Sequence, residues 1–263
     1  MSGAPAASGN DSATPGTRAE TQAVSNGVRD QIPVGVIAPF DFALDRELWR
    51  WVPDDVTLLL TRTPYVDAPV SVELAEAVSD TDDLGRATRE LIAVAPRCVA
   101  YACTSGSFVD GVDGEQRLVA AMRASGAPQA VTTSGALLAA LSALDISRVA
   151  LATPYVEALT SRLSDFLAEA GVETVGSAGL GLQSEIWKVP YEVTAKLVAD
   201  TDSPAAEAIF VSCTNLPTYD LIAPLEAELG KPVLTANQVT MWSALHSAGS
   251  KAIGPGQRLL NSG

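Results

Sequence analysis

The sequence predicts an α/β protein built from two pseudo-symmetric halves, each a doubly wound parallel sheet. Three observations carry this. Short apolar runs alternate with helical patterns along the chain, the signature of parallel strands with helices on both faces. Strand-end landmarks recur at a nearly constant offset, Pro39 with Pro154 and Cys103 with Cys213. Two of those strand ends share one motif, an apolar run closing on a small residue and then Cys-Thr, at Val99-Ala-Tyr-Ala-Cys103-Thr104 and Ile209-Phe-Val-Ser-Cys213-Thr214.

The elements follow in order. Residues 1–30 are rich in Ser, Ala, Gly, Thr and Asn and have no apolar segment, so they read as a disordered tail and not as a secretory leader. The N-terminal half, 31–145, opens with strand 34–38, closed by Pro39-Phe40-Asp41, and Asp45 is placed to cap a helix over 46–51. Strand 56–61 leads to helix 82–94, strand 98–102 to Cys103, helix 114–125 to strand 130–133, and helix 134–143 ends the half. The C-terminal half, 146–263, repeats the order. Strand 149–153 is followed by Pro154-Tyr155, helix 156–170 by strand 173–177, and helix 191–199 by strand 208–212 and Cys213. Helix 221–229, strand 233–235 and helix 237–248 complete it. Val131-Thr132-Thr133-Ser134 is paired with Val233-Leu234-Thr235-Ala236 in this repeat.

Composition narrows the function. A formal charge of −14 argues against nucleic acid, whose phosphates are met by Lys and Arg, and against anionic membrane surfaces. No apolar run approaches the roughly 20 residues of a membrane span. Three cysteines are too few and too odd in number for a disulfide framework, which points to a reducing cytoplasm. The single histidine, His246, rules against a His-rich metal centre or a Ser-His-Asp triad; with Trp242 one turn earlier it reads as packed or solvated. Gly179-Leu180-Gly181 is too short for a dinucleotide fingerprint, and no phosphate loop is present. No metal or cofactor is therefore expected.

In open α/β sheets ligands bind beyond the carboxyl ends of the strands. The ends carrying Pro39, Cys103, Pro154-Tyr155 and Cys213 are then expected around one crevice between the halves. One isolated cysteine would read as a small buried hydrophobe, as Cys98 does at the start of its strand. Two at equivalent strand ends read as catalytic: Cys103 and Cys213 can serve as nucleophile and acid, or as base and acid on opposite faces of one carbon. Free backbone N–H groups around them are expected to lower the pKa of at least one. Thr104, Ser105 and Gly106 on one side, and Thr214 and Asn215 on the other, offer hydroxyls and N–H groups for a carboxylate or an enediolate. Tyr155 can donate from its hydroxyl, and Pro39, Phe40 and Asp41 complete the expected substrate contacts.

These residues resemble the Asp/Glu racemase superfamily, within it the maleate cis-trans isomerase and arylmalonate decarboxylase branch, which includes ectoine-utilisation relatives. The likeness covers about residues 33–250 and rests on Cys103-Thr104-Ser105-Gly106-Ser107, Ala152-Thr153-Pro154-Tyr155, Val211-Ser212-Cys213-Thr214-Asn215-Leu216 and the stretch from Ala236 to Trp242. The resemblance implies cofactor-independent chemistry beside a carboxylate, with Cys103 adding to a double bond, Cys213 acting as acid and Tyr155 touching substrate. Racemases of this type use two cysteines and decarboxylases of the branch keep only the second-half one, so the pair disfavours decarboxylation alone. A racemase of amino acids or hydantoins, an arylmalonate-type decarboxylase and a non-enzymatic carboxylate binder are the alternatives. Maleate isomerases carry asparagines where this chain has Phe40-Asp41-Phe42 and Gln183-Ser184-Glu185-Ile186-Trp187, and Asp or Glu there would repel a second carboxylate. The expected partner is a small carboxylate substrate other than maleate; self-association into a homo-oligomer is left open.

Overall fold

A computed structural model describes residues 31–261, together with Met1 and Gly3. The rest of the expected disordered tail lies outside the described residues.

Two four-stranded parallel sheets form the frame. The first contains β1 (Ile32–Ala38), β2 (Val56–Arg62), β3 (Cys98–Tyr101) and β4 (Ala130–Thr132), in the order β2-β1-β3-β4. The second contains β5 (Arg148–Thr153), β6 (Glu173–Gly179), β7 (Ala208–Val211) and β8 (Val233–Thr235), in the order β6-β5-β7-β8. The two orders are the same word in a shifted numbering. β1 pairs with β3 through Ile37 and Tyr101, and β5 with β7 through Ala152 and Val211. Cys103 and Cys213 each stand two residues beyond the end of the matched inner strand. The inner strands are apolar on both faces because helices cover both.

The helices are α1 (Asp45–Leu48), α2 (Val72–Val78), α3 (Thr81–Ile92), α4 (Thr104–Phe108), α5 (Gly111–Ala124), α6 (Thr133–Ala143), α7 (Glu157–Glu169), α8 (Tyr191–Thr201), α9 (Tyr219–Leu229) and α10 (Ala236–Ser247). α6 and α10 start directly from β4 and β8, capped by the side chains of Thr132 and Thr235, which accept from Gly135 N and Gln238 N. The repeat therefore equates Thr132 with Thr235, one residue away from the pairing of Thr133 with Thr235 expected from sequence. α6 and α10 pack together, and the Thr133 and Thr240 hydroxyls meet at 2.8 Å.

The core does not stop at either sheet. Ala75 and Phe108 pack with the second-half core, while Ile222, Met241 and Leu245 pack with the strands of the first. The segment after β1 is clamped to the second half by polar contacts. Buried Glu47 accepts from Thr218 N (3.0 Å), Thr218 Oγ1 (3.1 Å) and Asn237 Nδ2 (3.1 Å). Trp51 Nε1 donates to Gln257 Oε1 at 2.9 Å.

Three local expectations change. Asp45 does not cap α1; it is the first helical residue and faces Arg62 at 2.9 Å, and α1 passes after Leu48 into a tighter 3₁₀ turn, Trp49–Trp51. The stretch after Cys103 winds into α4 where an irregular turn was expected. α2 has no counterpart among the elements read from sequence. Its signals are Ser71, whose hydroxyl accepts from Leu74 N at 3.2 Å, and the apolar spacing Leu74, Ala75, Val78.

Candidate active site

A crevice of about 480 Å³ of empty volume, counting its open mouth, lies at the carboxyl ends of both sheets. Cys103 and Cys213 both line it. Around them are Pro39, Phe40, Asp41, Thr104, Ser105, Tyr155, Thr214 and Asn215, all of them expected from sequence. Gly106 is set behind the thiol, walling a neighbouring hollow. A Cβ there would collide with the Tyr101 hydroxyl and stand 3.2 Å from the Cys103 sulfur, so glycine lets α4 close against its own strand.

The sequence reading missed the apolar wall. Val70, Ser71, Leu74, Ala75 and Val78 come from α2 and its approach, and Ile186 from the loop after β6. It also missed Tyr101. This residue is fully buried in β3, donates to the Val78 carbonyl at 2.5 Å, and stands beside the Cys103 thiol.

The thiols are not as acidic as expected. Burial pushes Cys103 above the ordinary thiol range; the Tyr101 hydroxyl, the Gly106 N–H and the Ser105 hydroxyl pull it back, and the Asp41 charge adds to the rise. Burial pushes Cys213 up to about 12, opposed by the Asn215 N–H and the Tyr155 hydroxyl and reinforced by Asp41 and Cys103. Desolvation thus outweighs the donors that sequence reasoning had counted on. Cys98, fully buried in the first sheet, also reaches about 12 through burial.

The turn holding Cys213 is strained and braced. Cys213 has φ of 85°, a left-handed conformation costly for a side chain with a Cβ. Asn237 Nδ2 donates to the Thr214 carbonyl at 2.9 Å and to Glu47. The Asn215 side chain brackets the loop after β1: its Nδ2 donates to the Asp41 carbonyl and its Oδ1 accepts from Ala43 N, both at 3.0 Å. That amide is therefore committed to structure, and only the Asn215 backbone faces the thiol. Tyr155 is 2% exposed, and its hydroxyl accepts from Ser212 Oγ at 3.4 Å.

One polar atom of the wall has no protein partner. Thr104 is 1% exposed, and its Oγ1 makes no hydrogen bond. A buried hydroxyl left unpaired costs free energy; Thr174 Oγ1, Thr194 Oγ1 and Asn237 Oδ1, outside the residues that line the crevice, are likewise buried and unpaired.

Glu185 sits outside the thiol crevice, in a left-handed turn that pairs it with Lys188. His246 is exposed and stacks on Trp242 at 6.3 Å between ring centres. Among the described residues no group of His, Cys, Asp and Glu could hold a metal ion, and no helix is long and apolar enough to cross a membrane.

Known proteins share this architecture. The arylmalonate decarboxylase of Bordetella bronchiseptica is 36% identical over 154 residues, 57% of this chain and 64% of its own length. The matched region thus spans less than two thirds of that relative. The maleate isomerase of Nocardia farcinica is 31% identical over 179 residues, 65% of this chain and 71% of its own. A liganded double mutant of arylmalonate decarboxylase superposes with a TM-score of 0.81 and 28% identity, over 88% of this chain and 99% of that one. A cysteine-to-serine mutant of the Nocardia farcinica maleate cis-trans isomerase, carrying a covalently bound succinylcysteine intermediate, superposes with a TM-score of 0.79 and 25% identity, over 88% and 98%. The arylmalonate decarboxylase family model matches residues 72–260, which include α2, both cysteine turns and Tyr155. The chain belongs to the arylmalonate decarboxylase family, in the branch of the Asp/Glu racemase superfamily that also holds the maleate isomerases.

Proposed function

We propose that this protein is a cofactor-independent isomerase of a small unsaturated carboxylate, working with two cysteines in the manner of a maleate cis-trans isomerase. The observation that carries the reading is the meeting of Cys103 and Cys213 in one crevice that also holds the unpartnered Thr104 hydroxyl.

The two thiols differ in a way that divides their roles. The Gly106 N–H and the Ser105 hydroxyl favour the Cys103 thiolate, while Cys213 is pushed up to about 12 and carries the added repulsion of the Cys103 charge. Cys103 ionises first and is the nucleophile; Cys213 stays protonated and is the acid. The Cys103 thiolate adds to one alkene carbon, and the electron pair moves onto the neighbouring carbon and its carboxylate as an enediolate. Cys213 protonates that carbon and becomes the thiolate. The former double bond is now single and rotates. Cys213 takes the proton back, the C–S bond breaks, and the trans alkene leaves with the Cys103 thiolate restored. The Thr104 hydroxyl and the backbone donors of the two turns stabilise the enediolate. The covalent succinylcysteine in the Nocardia farcinica enzyme supports such an adduct as chemistry available to this fold.

The 36% identity with an arylmalonate decarboxylase favours a second reading, loss of carbon dioxide from a malonate with Cys213 protonating the resulting enediolate. Proton NMR in D₂O with maleate, an amino acid and an aryl malonate separates the two. Growth of a trans-alkene signal supports isomerisation, α-deuteration without loss of carbon supports racemisation, and conversion of the malonate to an arylacetate supports decarboxylation.

A further inference from the structure

The crevice continues outward past Asp41. A second hollow, of about 560 Å³ of empty volume, shares Phe40, Asp41, Val70 and Leu74 with it and opens between the loops that follow β2 and β6. Its outer walls include Tyr65, Asp67, Glu185 and Trp187. Phe40 meets Tyr65 edge-on at 5.2 Å, and the Tyr65 hydroxyl donates to Asp67 at 3.1 Å. None of the described residues that line either hollow is a lysine, arginine or histidine.

Asp41 stands where the two hollows join. It lines both hollows, and its charge acts on both thiols. Its backbone is held by Asn215 from the other half of the protein. Among the described residues no side chain hydrogen-bonds its carboxylate. The one cation acting on it, Arg62, is already taken by Asp45 and the Phe42 carbonyl. A carboxylate at the mouth of a site, bonded by its own backbone N–H alone and with no lysine, arginine or histidine among the lining residues, is placed to meet a positive charge from the ligand. A second carboxylate there would meet the repulsion of Asp41. The Thr104 hydroxyl, in the wall of the same crevice and without a protein partner, offers the ligand's own carboxylate a donor. The aromatic walls agree, since ring faces attract cations; the protein's own Lys188 ammonium lies 5.0 Å from the centre of the Trp187 ring.

We propose that the substrate is a monocarboxylate bearing a cationic nitrogen, with its carboxylate beside Thr104 and its cation against Asp41 at the junction of the two hollows. This rests on the crevice being the reaction site, as argued above.

Binding and turnover test the two ideas separately. Isothermal titration calorimetry compares 4-aminobutyrate with succinate, two saturated chains of equal length that differ in one terminal group. The wild type is expected to bind 4-aminobutyrate about tenfold more tightly, the scale of one partly exposed ion pair. Asp41→Asn, checked for an unchanged melting temperature, is expected to bring the ratio to about one or invert it. Succinate binding as tightly as 4-aminobutyrate, no binding of either, or an undiminished preference in Asp41→Asn would overturn the proposal. Proton NMR on cis-4-aminobut-2-enoate and maleate then reads the chemistry. A preference for 4-aminobutyrate with no isomerisation of the amino alkene upholds the substrate class and defeats thiol addition. Isomerisation of maleate by a protein that prefers succinate does the reverse.

Discussion

Replacing Thr104 with valine separates a hydroxyl kept for structure from one kept for a ligand. Valine has the same shape, so the swap removes one oxygen and leaves the packing. Thr104 Oγ1 is buried with no hydrogen-bond partner in the protein, which carries a desolvation cost of about 1–3 kcal/mol. Thr104→Val is therefore expected to stabilise the fold by about 1 kcal/mol, a rise of roughly 2–4 °C in melting temperature for a chain of this size. Turnover should move the opposite way. A hydrogen bond to a charged group is worth about 1.5–3 kcal/mol, so losing it should lower kcat/KM roughly 10- to 150-fold. Thr132→Val is the control. That hydroxyl caps α6 and donates to Glu115 at 2.6 Å, and its loss should destabilise by about 1–2 kcal/mol. Melting curves and D₂O NMR on the carboxylate identified by the screen read both effects. A Thr104→Val protein that melts well below wild type, or that turns over at the wild-type rate, would refute the reasoning.

Other perturbations test the thiols and the clamp between the halves. Alkylation followed across pH, with peptide mapping, should label Cys103 first and leave Cys98 and Cys213, both at about 12, nearly inert at pH 8; early labelling of Cys98 would contradict the site. Cys213→Ser should keep a trace of activity, because a hydroxyl relays a proton poorly, with a loss on the order of 10²–10⁴-fold; wild-type rates in this variant would remove Cys213 from the chemistry. Burial raises Glu47 above the ordinary carboxylate range despite its three bonds, so the folded protein holds this proton more tightly than the unfolded chain. Its contribution to stability is complete below pH 4.5 and is lost as pH rises through the folded value. Glu47→Gln should flatten that decline in denaturant unfolding measured against pH, and an unchanged slope would show that Glu47 is not its source.

Much of the candidate site was legible because its residues sit where strands end. Pro39, Cys103, Tyr155 and Cys213 each follow an apolar run directly, and a parallel sheet carries all such ends to one edge. Other parts depend on distance in the fold. The apolar wall from α2 is seven residues long, carried by a single serine cap and three apolar positions, too little periodicity to stand out. Asn215 was expected as a substrate donor from its place beside Cys213 and Thr214; it lines the crevice, but its side-chain amide is taken up by the loop after β1. Its partners, Asp41 and Ala43, lie more than 170 residues away and appear only once the halves are packed. The thiol acidity was misjudged for a similar reason. Local N–H groups are visible in a turn, whereas the burial that overrides them comes from both halves closing over the crevice.

Mass spectrometry of Cys213→Ser mixed with cis-4-aminobut-2-enoate, and separately with maleate, tests the central claim most directly. Serine can still relay the first proton poorly but is too weak a base to take it back, so the protonated covalent intermediate should accumulate. The account predicts an added mass equal to the alkene, mapped to the peptide bearing Cys103 and absent from Cys103→Ala, with the amino alkene giving the larger yield. Full turnover by Cys103→Ala, or an adduct carried on Cys98, would contradict it.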